Sequence, residues 1–158
     1  MKKSTLQLAV IALGVLLISG CSLKPVMVNE QISPYGVEQT IETIHTNAKA
    51  IGWSVPRVMD MNIPIQKHLD TPLQATVRIV ELCNPHHAYD ILSVEESRYA
   101  ALFMPCAIAI YTKEDGNTYV ASMKAARVGG FLGGNVAQVM TAVEEDQKMM
   151  LEFLHTSQ

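Results

Sequence analysis

Aromatic side chains are scarce in this chain of 158 residues: one Trp, three Phe and five Tyr, so any core must be built mainly from aliphatic side chains. Cysteine is scarcer still, with three residues, Cys21, Cys83 and Cys106. None stands in a Cys-x-x-Cys or Cys-x-x-Cys-His pattern, which excludes thioredoxin-like exchange and covalent haem attachment through those motifs. Lys and Arg number 12 against 15 Asp and Glu, and beyond Lys2-Lys3 they never cluster, which removes the electrostatic footprint of a nucleic-acid binder. No apolar run approaches the roughly 20 residues of a membrane-spanning helix. The glycine-rich stretch Gly129–Gly134 lacks the Lys-Ser/Thr of a phosphate loop and the spacing of a dinucleotide site. Ser, His and Asp are scattered with no nucleophile elbow, so no hydrolase is indicated and a non-enzymatic role is expected.

What is present begins at the N-terminus. Lys2-Lys3, an apolar stretch from Leu8 to Ile18, and Leu17-Ile18-Ser19-Gly20-Cys21 make up a secretory leader closed by a lipobox. Cleavage after Gly20 leaves Cys21 as the first residue, lipidated on sulfur and on its amine, and more than one acyl chain gives stable anchoring to a membrane. Ser22 follows in place of the Asp that retains such proteins at the inner membrane, which points to the outer membrane, facing the periplasm. The expected organisation is residues 1–20 as leader, 21–30 as lipidated Cys and tether, and 31–158 as a single domain.

Within that domain a helix is expected from Pro34 to Ile51, capped by Ser33, with Val37, Ile41, Ile44, Ala48 and Ile51 on its buried face and Gly52 at its end. Strands are expected at Val26-Met27-Val28, from Trp53 through a bend at Pro56 to Val58, and over Thr76–Cys83, with a short helical piece from Pro64 to Leu69. Asn84-Pro85 caps a helix from His86 to about Val94. Asp115-Gly116 turns a hairpin between Ala107–Thr112 and Asn117–Met123. Gly129–Gly134 reads as a hinge, with close helix packing as the alternative. A last helix, Val136–Leu154, carries an apolar stripe of Val136, Met140, Val143, Met150 and Leu154 that Gln147 interrupts, and Glu144-Glu145-Asp146 reads as part of its solvated face. The order gives an α+β layer sandwich.

Cys83 closes one strand and Cys106 opens another, so antiparallel pairing would bring both to one sheet edge. Cys83 shares its parity with Val77 and Ile79, and Cys106 shares its parity with Ile108 and Ile110, so both are expected on the core side. An oxidising compartment makes them candidates for a disulfide, worth about 3 kcal/mol for a loop of this length. The start of the helix after Asn84 favours a thiolate at Cys83 and neutral imidazole at His86 and His87. With Met104 close by in sequence, Cys83, Cys106, His86 and Met104 form a donor set for a soft metal or a haem iron.

Gly52-Trp53, Glu81-Leu82-Cys83-Asn84-Pro85 with Ala88, Met104-Pro105-Cys106, and Ile110-Tyr111 followed by Asp115-Gly116 together resemble the domain of unknown function 302 family, in its two-cysteine lipoprotein branch. The resemblance implies a TATA-binding-protein-like fold, β-α-β(4)-α, with two main helices on one face of an antiparallel sheet and a small helical insertion after Cys83. It also implies homodimerisation, and it places Cys83 and Cys106 at positions shared within that branch. Two functions remain open: an envelope lipoprotein using Cys83 and Cys106 for soft metal, haem or redox and sulfur chemistry, or a dimeric scaffold in which the two cysteines form only a structural disulfide.

Overall fold

The computed structural model describes residues 24–155. The leader, the lipobox and Cys21 lie outside the described residues. A helical turn, α1 (Lys24–Met27), leads into β1 (Val28–Ile32), followed by α2 (Val37–Ala50), β2 (Ser54–Asp60), α3 (Asn62–Leu69), β3 (Val77–Cys83) and α4 (Pro85–Leu92). A 3-10 segment, Glu95–Phe103, precedes β4 (Cys106–Thr112), β5 (Thr118–Met123), α5 (Ala125–Leu132), α6 (Gly134–Met150) and a final 3-10 turn, Glu152–Leu154. The five strands form one antiparallel sheet in the order β1-β5-β4-β3-β2. The connectivity is the expected β-α-β(4)-α, with α2 and α6 as the main helices on one sheet face.

The side chains that alternate towards those helices are the core of the sheet. Val80, Leu82, Ile108, Ile110 and Val120 are almost wholly buried, and they meet Ile44 and Ala48 of α2 and Val136, Met140, Val143 and Met150 of α6. Gln147 is buried with that α6 stripe. At the end of α2, Gly52 adopts φ +81° while Gly52 N–H donates to Lys49 O and Trp53 N–H to Ala48 O, a left-handed cap that turns Trp53 into the core.

Several boundaries depart from the sequence pattern for local reasons. Helix α2 starts at Val37 rather than Pro34, because Ser33 is tied to the sheet by its N–H to Thr118 O and shares a buried hydroxyl contact of 2.7 Å with Thr40. Residues 24–30, expected in the tether, form α1 and the start of β1, whose Val28 to Ile32 register against Met123 to Tyr119. The last helix stops at Met150, and Leu154 reaches the core from the 3-10 turn that follows.

The glycine-rich stretch is a helix–helix corner instead of a plain hinge. Helix α5 runs through Gly129 and Gly130, and Gly133 and Gly134 turn the chain with φ of +73° and +57°. A Cβ on Gly129 would lie 2.5 Å from Met140 Cβ and 3.2 Å from Ala137 Cα, so glycine is what lets α5 and α6 approach this closely.

Candidate functional site

Strands β3 and β4 are antiparallel neighbours, so the end of one meets the beginning of the other. Leu82 stands opposite Cys106, and Cys83, one step further, pairs with Ser54 of β2. Cys106 lies on the core side with Ile108 and Ile110, as its parity requires. Cys83 does not share that parity: the core residues of β3 are Val80 and Leu82, and Val77 and Ile79 occupy the opposite face. The β3 segment is apolar on both parities, with Arg78 and Glu81 falling on opposite faces, so alternation alone could not choose between them. Cys83 nevertheless reaches the site because it is the last residue of the strand, where the chain turns into α4.

Asn84 makes that turn. Its side-chain oxygen accepts the N–H groups of His86, at 3.0 Å, and His87, at 3.5 Å, with Pro85 at the first helical position. This fixes the first turn of α4 so that His86 is exposed while His87 turns inward. The donor set expected from the sequence is thereby corrected: Cys83, Cys106 and Met104 come together, and His87 takes the place of His86.

These residues border a cavity of about 30 Å³ that Trp53, Leu82, Ile91, Phe103, Met140 and Val143 also line. The volume admits one or two water-sized guests. A porphyrin does not fit within it. Among the described residues no three His, Cys, Asp or Glu side chains converge as metal ligands. Both cysteines are free thiols. Burial, reinforced by the neighbouring Cys83, pushes the Cys106 thiol up to about 11, so it stays protonated at neutral pH.

The polar side of the cavity wall is organised by Asp146 of α6. Its Oδ2 accepts the Trp53 indole N–H at 2.8 Å and lies 2.9 Å from His87 Nε2, and the Trp53 and His87 rings meet edge-on at 5.7 Å. An Nε2–H donating to that carboxylate leaves Nδ1 as the remaining acceptor of a neutral ring. The acidic run on α6 is therefore not one solvated face. Glu144 accepts the Ala126 N–H at the start of α5, Glu145 pairs with Lys148 at 2.7 Å, and Asp146 points inward. Consecutive helical positions diverge by about 100°, so three adjacent acids need not share a face.

A second cluster, on the opposite face of the sheet, was not legible from spacing. Glu30 of β1 receives the Tyr111 hydroxyl from β4 and pairs with Lys24 at 2.6 Å and Lys113 at 3.1 Å. Lys113 Nζ sits 3.6 Å from the centroid of Tyr119, which stacks on Tyr111. These partners, Lys24 foremost, hold the Glu30 carboxyl down at about 2. Burial and the Glu30 charge raise the Tyr111 phenol.

Among the described residues no helix is long and apolar enough to cross a membrane. The crystal structure of an uncharacterized conserved protein DUF302 from Bacillus stearothermophilus is similar in fold, with a TM-score of 0.71 at 20% sequence identity, covering 80% of this chain and 97% of that one. No curated protein matches the chain. The family model described as domain of unknown function DUF302 matches residues 29–154, which span β1 to the final 3-10 turn and include both cysteines, His87 and Asp146. The chain belongs to the DUF302 family.

Proposed function

We propose that the chain is a non-enzymatic lipoprotein of the cell envelope, held by lipids on Cys21 at the periplasmic face of the outer membrane, in which Cys83 and Cys106 carry redox equivalents by thiol–disulfide exchange. The observation that supports this reading is that two free thiols border one small, almost wholly apolar cavity. Such a cavity surrounds a sulfur pair with apolar groups and offers little to a hydrated cation. With Cys106 held protonated, Cys83 at the strand end is the thiol that attacks a partner's disulfide, releasing one partner thiol and forming a mixed disulfide. Cys106 then displaces the second partner thiol and closes the Cys83–Cys106 bond. The two electrons and two protons lost by the pair leave with the partner as two thiols. His87 is the one titratable base in the cavity wall and can take the Cys106 proton in that second step.

The test is equilibration of the purified full-length protein in glutathione redox buffers, followed by alkylation and intact mass. A reversible loss of two hydrogens with a midpoint above about −300 mV is expected for an exchanging pair. A bridge that opens only well below that potential identifies a structural staple. Two thiols that persist in oxidised glutathione together with a bound metal mass identify a soft-ligand site, and either of these results overturns the redox reading.

A further inference from the structure

Helix α5 buries Ala125, Val128 and Gly129 and exposes Arg127, Gly130 and Phe131, so its outward face is basic at one end and aromatic at the other. Phe131 is 77% exposed, an unusual position for one of only three Phe in the chain. Arg127 and Phe131 are one helical turn apart, and Lys124 stands immediately before the helix. None of the Arg127 side-chain atoms is in an ion pair among the described residues. The segment that enters the domain from the N-terminus is fastened to this same end of α5: Lys124 N–H donates to Met27 O, and Lys124 Nζ donates to Pro25 O, each at 2.8 Å.

Only two residues, Ser22 and Leu23, separate Cys21 from Lys24, a reach of about 11 Å over the intervening steps when fully extended. On the reading that Cys21 is lipidated, that short reach keeps Lys24, and the segment from it that is fastened to Lys124, near the bilayer surface, where basic side chains are attracted to anionic headgroups. Beside Arg127 lies a groove of about 320 Å³ that also takes in Lys124, Lys148 and Gln147. Gln147 of α6 lines this groove, and no buried side-chain nitrogen or oxygen among the described residues lacks a hydrogen-bond partner. The one carboxylate in the groove, Glu144, is already committed to Ala126 N–H and Lys148. With Lys148 paired to Glu144 and Glu145, the charge the groove offers an anion is that of Arg127 and of Lys124, whose Nζ also donates to Pro25 O, and it matches the single negative charge of a phosphodiester.

We propose that the outward face of α5 docks on an anionic phospholipid surface, with Phe131 at the boundary between headgroups and acyl chains and a headgroup phosphate in the groove beside Arg127. This proposal rests on the lipid-anchor reading and adds to the acyl chains, which supply the attachment, a second contact that orients the domain. The domain would then sit with a fixed side towards the membrane instead of swinging on its tether.

The experiment uses the lipidated full-length chain carrying Phe131→Trp, reconstituted in vesicles of phosphatidylethanolamine and phosphatidylglycerol with brominated acyl chains. Trp53, 3% exposed, serves as the shielded internal reference. The expected result is loss of most of the emission contributed by Phe131→Trp while that of Trp53 persists, with the loss reversed by adding Arg127→Glu. A chain that floats with the vesicles but keeps its full emission overturns the docked face and leaves the lipid anchor intact. A chain that does not float overturns the anchor and the docking together. An emission shift that depends on protein concentration without lipid shows the face covered by a second copy, which also overturns the proposal.

Discussion

The two faces of the sheet solve the problem of polar groups in opposite ways. On the covered face, polar atoms are few and each is assigned locally: Asp146 serves Trp53 and His87, and Ser33 serves Thr40. On the open face, Glu30 gathers Lys24, Lys113 and Tyr111 into one charge-assisted network that ties the edge strand β1 to the hairpin of β4 and β5. Both faces use β4, whose even residues Cys106, Ile108 and Ile110 feed the core while Tyr111 feeds the network. The cavity with its thiols therefore sits where apolar packing sets the energetics, and the open-face cluster sits where water and ions reach the charges. Stability should depend mainly on the first and respond to pH mainly through the second.

The sharpest way to break this contrast is to truncate matched isoleucines on the two faces. Ile108→Ala, at a fully buried position, is expected to cost about 2–5 kcal/mol through lost transfer energy and the space left behind. Ile79→Ala, half-buried on the open face, should cost less than half as much, read from denaturation midpoints at unchanged m-value. Equal losses would mean that the open face is covered in solution and that the two faces are not different in kind. A smaller effect is expected at Asp146. Asp146→Ala leaves the Trp53 indole N–H without its acceptor and His87 without its partner, a cost of about 1–3 kcal/mol accompanied by a change in Trp53 emission. Glu145→Ala, on the exposed side of the same helix, is the control and should cost almost nothing. If the two acids behave alike, Asp146 does not organise the cavity wall.

The fold was readable wherever pattern and packing agreed. The α6 stripe, the Asn84-Pro85 cap and the Asp115-Gly116 hairpin all appear where their residue types require, because each depends on neighbours close in sequence. The meeting of Cys83 with Cys106 was legible for the same reason, since strand ends follow from strand order. What spacing could not supply was facing. The choice between His86 and His87 depends on the angle at which Asn84 launches α4, and Asp146 becomes structural only because Trp53 arrives beside it from a left-handed cap 93 residues earlier. Helix α5 was hidden by its glycines, which lower helix propensity yet permit the approach of Met140 to within contact of the backbone. The Glu30 cluster joins β1 to Tyr111, 81 positions away, and had no local signal at all.

The last and smallest expected effect concerns that cluster and is read against pH. Glu30 binds its proton less tightly in the folded state, at about 2, than an ordinary carboxylate in the unfolded chain, near about 4.3. The unfolded state therefore takes up the proton first as pH falls, and the stability Glu30 contributes is fully present above about pH 5, declines through the interval between the two values and is gone below about pH 2. Glu30→Gln should lower stability at neutral pH and flatten the acid limb over that same interval, measured by denaturation at constant ionic strength. Added salt should narrow the difference between the two proteins, because Lys24 and Lys113 stand in the reach of solvent ions. A variant whose acid limb is as steep as the parent's would place the pH sensitivity outside the Glu30 cluster.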